Sequence, residues 1–586
     1  MLRRSLAIAL LLVAAPLLAQ SDMGTPEQVE RGKVVYDKYC SQCHGYEGDG
    51  IGYATPRLKP EPRDFTSGKY KFRTTPSGKL PTDEDVVRVI KEGLPYTSMP
   101  GWPQISDPDI MNIVYYLKTF SDDWQNPDSY ADPIDIPNPP PITEESIARG
   151  AQAYIDQGCG ACHGDTGRGD GLSAKTLTDD WGKHIRPADM HKRWTFRGGP
   201  TRQDIYRTFS TGLNGTPMPS YGDTMANEDR WDLVNFIYDM ADSDTPDYNS
   251  LLVVKRVEEE IDLTNAELFD TAERARFPMV GQIVEPGRNF YQSAMDVEVQ
   301  AVYNTKEIAI QVQWHDISAE TSGTNSPLLE VPMWDEDNGG AAAATTEEDD
   351  GGGFWGFEEE EEEATEEDIW GADVVDDSEG GGDDFWGEGE DDFWGDGGGD
   401  DSASGGGGFT DAVAVQFPSK LPTGNRKPYF IFGDTQSSVD LWFWDLARDT
   451  GLAEQFLGRG SSALETSEAD EIEVVSNYDQ GRWTVVFKRP LKARGGISFE
   501  EEMFAPVSFS TWDGFNRERG NKRALSQWVY FYFEPAERIS AIGPMLRTAG
   551  FVLLLEILLV IYLRRRHAAE QAAAPQTAVA DGSTAS

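Results

Sequence analysis

Residues 40–44 read Cys-Ser-Gln-Cys-His, and residues 159–163 read Cys-Gly-Ala-Cys-His. The chain has four cysteines, and all four fall in these two copies. C-x-x-C-H is the attachment signature of c-type haem: each thiol adds to a vinyl group and the histidine ligates the iron from one face. A zinc site built from all four thiolates would need pairs about 115 residues apart to converge, and it would leave both histidines without a role. A redox dithiol belongs before a helix in a βαβ setting, which is missing here. The expectation is two covalently bound haems c, on Cys40, Cys43, Cys159 and Cys162, with His44 and His163 as iron ligands.

Such an iron needs a sixth ligand, and a methionine thioether is the soft donor that favours electron transfer. Met99 stands in Thr-Ser-Met-Pro-Gly-Trp and Met218 in Thr-Pro-Met-Pro-Ser-Tyr, each 55 residues beyond its histidine. Equal spacing in two copies marks a repeat. Pro-Arg-Asp-Phe at 62–65 answers Pro-Ala-Asp-Met at 187–190, and Lys-Phe-Arg at 71–73 answers Thr-Phe-Arg at 195–197. A helical pattern precedes each cysteine pair and another follows each Met-Pro. Helix, CxxCH, loop, Met-Pro, helix is an order that resembles the class I cytochromes c, over about 100 residues in each half. His184 and His191 lack counterparts in the first copy and are read as surface residues or neighbours of the haem propionates.

The net charge is −50, the wrong sign for a nucleic-acid partner. More than half of it lies between Asp335 and Asp401, which hold 29 Asp and Glu and no Lys or Arg. Residues 1–20 have Arg3 and Arg4, an apolar run and a small residue, Ala19. This is the pattern of a signal peptide. A second apolar run at 542–563 is long enough to span a bilayer with Arg547 snorkelling, although Glu556 is costly inside it. Arg564–Arg566 favour the cytoplasmic side. The bulk of the chain is therefore expected in the periplasm, single-pass in the cytoplasmic membrane, with 564–586 as a cytoplasmic tail.

Residues 121–143 are rich in Asp and Pro and read as a stiff linker. Beyond about 245 the pattern alternates, and Met295–Trp314 reads as two strands around an Asn-Thr-Lys-Glu turn. The expected architecture is multidomain. Two all-α cytochrome c domains (24–122 and 144–245, linker 123–143) lead into an antiparallel β-sandwich (250–335 and 409–538). A disordered acidic insertion (336–408) interrupts the sandwich, and a transmembrane helix (542–563) follows it. The insertion carries four Trp-Gly units, at Trp355, Trp370, Trp386 and Trp394, between acid runs. It reads as a solvated loop, as an arm that captures a basic soluble cytochrome c, or as carboxylates that bind calcium.

The order DAVAVQFP, KPYFIFGDTQSSVDLWFWD, GRWTVVFKRPL, STWDGFNRERGNKRALSQW resembles the haem-b-binding gamma subunits of ethylbenzene dehydrogenase and dimethyl sulfide dehydrogenase. That resemblance implies one haem b held between a methionine and a lysine, and a molybdenum and iron–sulfur oxidoreductase as partner. The lysine corresponds to Lys522. The methionine expected near Tyr429–Phe432 is absent, leaving Met503 or His315 as substitutes; with neither, the sandwich is a docking module without a cofactor. No catalytic constellation is visible. The expected function is an electron-transfer subunit serving a molybdenum oxidoreductase of the dimethyl sulfoxide reductase superfamily and the respiratory chain. The alternatives are a membrane-bound dihaem cytochrome donating to a terminal oxidase and a stand-alone dihaem oxidoreductase.

Overall fold

The computed structural model describes residues 22–241, 245–265, 267–331, 408–423, 426–448, 450–536 and 542–573. The expected signal peptide, the acidic insertion with its Trp-Gly units and the last residues of the tail lie outside these.

The N-terminal part folds as two similar helical units. In the first, α1 (Pro26–Tyr39) runs into the single turn α2 (Ser41–His44), followed by α3 (Asp83–Glu92) and α4 (Asp107–Leu117). In the second, α5 (Glu144–Asp156), α6 (Gly160–His163), α7 (Arg202–Thr211) and α8 (Asn227–Asp239) repeat the order. Thr25 and Thr143 open α1 and α5 with reciprocal capping boxes. The outer helices of each unit cross at a glycine. A Cβ on Gly32 would lie 1.9 Å from the Asn112 carbonyl oxygen, and one on Gly150 would lie 2.1 Å from that of Asp232. Only a residue without a side chain allows backbones this close. A bidentate ion pair pins each crossing: Arg31–Asp109 at 2.8 and 3.0 Å, Arg149–Asp232 at 2.6 and 3.0 Å.

The Asp/Pro-rich segment is less of a free spacer than its composition suggests. Trp124 is buried in the first unit's core, the Tyr130 hydroxyl donates to the Trp124 carbonyl, and Leu80 N donates to the Ser129 carbonyl at 2.9 Å. An indole in the core holds the chain to the first unit as far as Tyr130.

The remaining strands form a large sheet domain. They are β1 (Leu251–Arg256), β2 (Ala275–Pro278), β3 (Val280–Gly281), β4 (Asp296–Tyr303), β5 (Glu307–His315), β6 (Ala412–Pro418) and β7 (Val439–Asp445). Then come β8 (Glu454–Gly458), β9 (Leu464–Ser467), β10 (Glu473–Asp479), β11 (Arg482–Pro490), β12 (Phe504–Trp512), β13 (Ala524–Leu525) and β14 (Val529–Phe533). The hydrogen-bonded path is β10-β11-β5-β4-β1-β14-β12-β6-β7-β8-β9. The purely antiparallel expectation needs correction at one place: β1 is parallel to both its neighbours, β14 and β4, so the sheet is mixed. Residue alternation reports which face a strand buries and carries no information about the direction of its neighbours. The Asn304 turn is where the sequence puts it, with Asn304 Oδ1 accepting from Lys306 N and Glu307 N at 2.8 and 2.9 Å. Trp442 on β7 and Phe487 on β11 have ring centroids 6.4 Å apart, although six strands separate them along the path. The sheet therefore folds back over one shared core.

Among the described residues, one helix is long and apolar enough to cross a membrane: α9 (Ile542–Ala573). Its 31-residue candidate span (Ile542–Ala572) measures about 46 Å at 1.5 Å per residue, longer than a bilayer core of about 30 Å. The helix continues past Arg564–Arg566, so the start of the expected tail is helical.

Candidate functional site

The two CxxCH turns are built alike. α1 ends on Cys40, and His44 closes α2; Cys159 and His163 hold the same places around α6. All four cysteines are half-buried, and none is paired in a disulfide. A tyrosine braces each turn: the Tyr36 hydroxyl donates to the Gly45 carbonyl at 2.7 Å, and Tyr154 to that of Gly164 at 2.6 Å. The His44 Nδ1 contacts the Arg63 carbonyl at 3.0 Å, and His163 Nδ1 contacts the Ala188 carbonyl at 3.3 Å. Facing a carbonyl, each Nδ1 carries the proton. Nε2 is left as the ligand nitrogen, the usual arrangement of a metal-binding histidine. Burial lowers both imidazoles below the ordinary histidine range, which favours the neutral, ligating form. Arg63 and Ala188 occupy equivalent places in the repeated PRDF and PADM segments, so that sequence match marks the two carbonyls that orient the histidines.

The methionine loops are also equivalent. Leu94 N donates to the Met99 carbonyl at 3.0 Å, and Leu213 N to the Met218 carbonyl at 3.2 Å. Met99 N and Met218 N donate to the Thr97 and Thr216 hydroxyls at 3.1 and 3.2 Å. Gly93 and Gly212 open the loops at φ 72° and 68°, a region that favours glycine. Both methionines are half-buried, and Met218 packs against the second unit's core. Two thiols, one imidazole with Nε2 available and one thioether in each unit form a donor set that suits haem c.

Several residues that the sequence did not single out join the two units. Arg73, 1% exposed, reaches across to the Thr211 and Gly212 carbonyls at 2.6 and 3.2 Å. Trp181 lies under the Arg63 guanidinium at 4.5 Å, and its Nε1 donates to Asp64 Oδ2 at 3.2 Å. A Cβ on Gly215, three residues before Met218, would meet the Trp181 ring at 2.8 Å. Arg63, Lys71 and Arg197 are cations gathered here, each lowered first by burial, Lys71 to about 8. Three cations with Asp179 as acid opposite suit a group bearing carboxylates, as haem does on its propionates. His184 and His191 are structural: their Nε2 atoms contact the Ala174 and Thr166 carbonyls at 3.2 and 2.9 Å.

The second unit also sits on the sheet. Lys192 pairs with Asp296 at 3.1 Å, Arg186 with Asp513 at 3.2 Å, and Lys175 with Glu320. His315, at the end of β5, contacts the Arg168 carbonyl through Nε2 and is buried against Asp189 and Lys192. That nitrogen is taken by the cytochrome domain, so His315 serves the seat of the second unit.

The pairings considered for a haem b do not fit. Lys522 is buried beside β13. Where the methionine was expected, Ile431 and Phe432 are fully buried, and the Arg523 guanidinium lies 3.7 Å from the Phe432 ring centroid. Met503 precedes β12, whereas Lys522 lies beyond the other end of that strand, since Ala524 pairs with Thr511. Ten residues of extended chain put them about 30 Å apart, and two axial ligands of one iron cannot be that distant.

Residues 27–117 match the family model for cytochrome C oxidase, cbb3-type, subunit III, and residues 147–241 match the model for cytochrome c. A Haloferax mediterranei protein named as a respiratory nitrate reductase heme subunit is 33% identical over 129 residues, 22% of this chain and 45% of that protein. The chlorate reductase subunit gamma of Ideonella dechloratans is 29% identical over 128 residues, 21% of this chain and 51% of that protein. The chain thus spans about half the length of the curated relatives it matches. Among solved structures, a chain of the Kuenenia stuttgartiensis reducing HAO-like protein complex is 42% identical, covering 36% of this chain and 96% of that one, with a TM-score of 0.34. The chain carries two cytochrome c domains, with covalently bound haem c, fused to a domain similar to the haem subunits of respiratory nitrate and chlorate reductases.

Proposed function

We propose that the chain is a membrane-anchored, periplasmic electron-transfer subunit. In this reading it relays electrons between a molybdenum oxidoreductase of the dimethyl sulfoxide reductase superfamily and the respiratory chain. The observation that carries it is the matched pair of donor sets, in two units joined through Arg73 and Trp181. Cys40, Cys43, Cys159 and Cys162 would attach the haems, and His44 with Met99 and His163 with Met218 would hold the irons. Haem c, when bound, supplies a one-electron couple at each site. The protein's own part is to fix the imidazoles through the Arg63 and Ala188 carbonyls, hold the thioethers on short loops and keep water away. The sheet domain, similar in sequence to reductase haem subunits, serves as the docking face for the oxidoreductase, and α9 with Arg564–Arg566 as the anchor.

Mild detergent extraction with a tag on this chain tests the proposal, with haem counted by pyridine haemochrome and molybdenum by mass spectrometry. Two haems c per chain with stoichiometric molybdenum is the expected result. The match of 27–117 to a cbb3-type oxidase subunit favours a second reading, in which the chain donates to a terminal oxidase. Copurification of an oxidase without molybdenum would select that reading.

A further inference from the structure

Three carboxylates converge under the seat of the second cytochrome domain. Asp316 follows β5, Glu320 lies four residues on, and Asp411 stands at the foot of β6, where the chain returns after residues 332–407. One carboxylate oxygen from each lies within 4.8 Å of the other two. Asp316 is 2% exposed and Asp411 is fully buried.

Their hydrogen bonds leave two oxygens unserved. Asp411 Oδ1 accepts from Gly514 N at 2.8 Å, and its Oδ2 accepts from Glu320 N at 2.7 Å and Trp483 Nε1 at 3.0 Å. Glu320 Oε1 accepts from Ser318 Oγ at 2.7 Å and from Lys175. Asp316 Oδ1 receives only a long contact from Ser318 N, at 3.4 Å. Asp316 Oδ2 and Glu320 Oε2 are buried and accept nothing. A buried carboxylate oxygen without a partner costs on the order of 1–3 kcal/mol or more, so two in one cluster ask for a ligand.

The charges agree. A fourth carboxylate, Asp513, faces the group. Lys175 answers Glu320 and Arg186 answers Asp513, while Asp316 and Asp411 have no ion-pair partner among the described residues. Two negative charges are left over, the number one divalent cation balances. The donors are all oxygen, which selects a hard cation. Three side chains drawn from two separate chain segments suit the flexible all-oxygen coordination of calcium better than the strict octahedron of magnesium, which dehydrates reluctantly.

We propose that Asp316, Glu320 and Asp411 bind a calcium ion that closes the neck of the 332–407 excursion and locks the seat of the second cytochrome domain. Two backbone links already cross that neck: Asp411 N donates to the Glu320 carbonyl at 2.8 Å, and Glu320 N to the Asp411 carboxylate. The ion would join both sides of the neck, with Lys175 of the cytochrome domain on Glu320.

The test uses the full-length, haem-loaded protein in detergent, purified without chelator and analysed for metals by mass spectrometry. A second form lacking 336–407 removes the acid-rich stretch as a source of weakly held calcium. Retention of about one calcium per chain in both forms is expected. EGTA should lower the melting midpoint by on the order of 5 °C, and calcium but not magnesium should restore it. Asp316→Asn should lose the ion and the response to EGTA, with the Soret band reporting that the cytochrome domains are intact; Glu320→Gln gives the same reading if the first variant does not fold. The proposal is overturned if no calcium is retained in the deletion form. It is equally overturned if EGTA has no effect and Asp316→Asn melts as high as the parent, which would mean that shared protons alone hold the cluster, or if magnesium restores stability as well as calcium.

Discussion

Gly150→Ala sets two effects of opposite sign against each other. In mid-helix, alanine is favoured over glycine by about 1 kcal/mol, so on helix propensity alone the variant should be more stable. The crossing of α5 with α8 opposes this. The new Cβ would stand 2.1 Å from the Asp232 carbonyl oxygen, and 2.7 Å from the Phe236 Cβ. A carbon–oxygen contact settles near 3.3 Å, so the helices must part by about 1 Å. A gap of that size forfeits a quarter to a half of each contact of about 0.1–0.2 kcal/mol. The crossing buries Tyr154, Leu233 and Val234, with Tyr154 and Phe236 rings 5.6 Å apart. With on the order of 50 atom pairs affected, the loss is about 1–5 kcal/mol, and the Arg149–Asp232 fork loosens with it. The net expectation is destabilisation by about 2 kcal/mol, a fall of several degrees in the melting of the second cytochrome domain. Melting followed at the Soret band and by far-ultraviolet circular dichroism measures it. Gly32→Ala, with a 1.9 Å approach to the Asn112 carbonyl, should do the same to the first domain. If Gly150→Ala melts at or above the parent temperature with an unchanged Soret band, propensity has won and the close crossing is not what holds the pair.

Met99→Ala and Met218→Ala should each lower one haem potential by roughly 100 mV or more, because an axial thioether raises it; an unchanged redox titration in either variant refutes that ligand. Glu298 is pulled up by burial but held at about 2 by Arg482 and Arg276. A carboxylate depressed in the folded state contributes stability that is complete above pH 4.5 and lost as pH falls through 2. Glu298→Gln should therefore cost about 3 kcal/mol at pH 7 and almost nothing near pH 2, read by urea unfolding at both pH values. Trp181→Ala removes the ring between Arg63 and Gly215 while Arg73 still ties the domains. Both midpoint potentials should stay in place and electron exchange between the domains, followed by stopped flow after reducing one site, should slow several-fold; equal rates would show that Trp181 has no part in the coupling.

The haem motifs were legible because covalent attachment and iron ligation tolerate few residue types, and the second copy repeated each one at equal distance. The strands were legible from alternation, and the turn at Asn304 from its polar residues. What escaped were contacts between segments far apart in the chain. Nothing local in Ala-Asp of PADM says that its carbonyl holds His163. Trp181 sits in a stretch of the second copy that has no match in the first, so the repeat could not flag it. The parallel placement of β1 depends on which strands it joins. The pairing of Lys522 with Met503 looked reasonable as a list of donors and fails because the two lie at opposite ends of β12. Asp316 and Asp411 are separated by the longest low-complexity stretch in the chain, and only the closed sheet brings them together.

The order of contacts also says something about the path an electron must take. The second cytochrome domain touches both of its neighbours: the first domain through Trp181, Asp180 and the α7 carbonyls, and the sheet through Lys175, Arg186, Lys192 and the Arg168 carbonyl. The first domain meets the sheet domain more sparingly, as where the Tyr291 hydroxyl donates to the Pro56 carbonyl at 3.0 Å. Charged pairs of the kind at the sheet seat are worth little when exposed, but Asp296 and Asp513 are buried, and breaking such a pair strands a buried charge at a cost of about 3–5 kcal/mol. The second domain is therefore the fixed member of the set. A partner docked on the sheet would meet the second domain across these buried ion pairs, and the first domain through the second as well as through the Tyr291 contact.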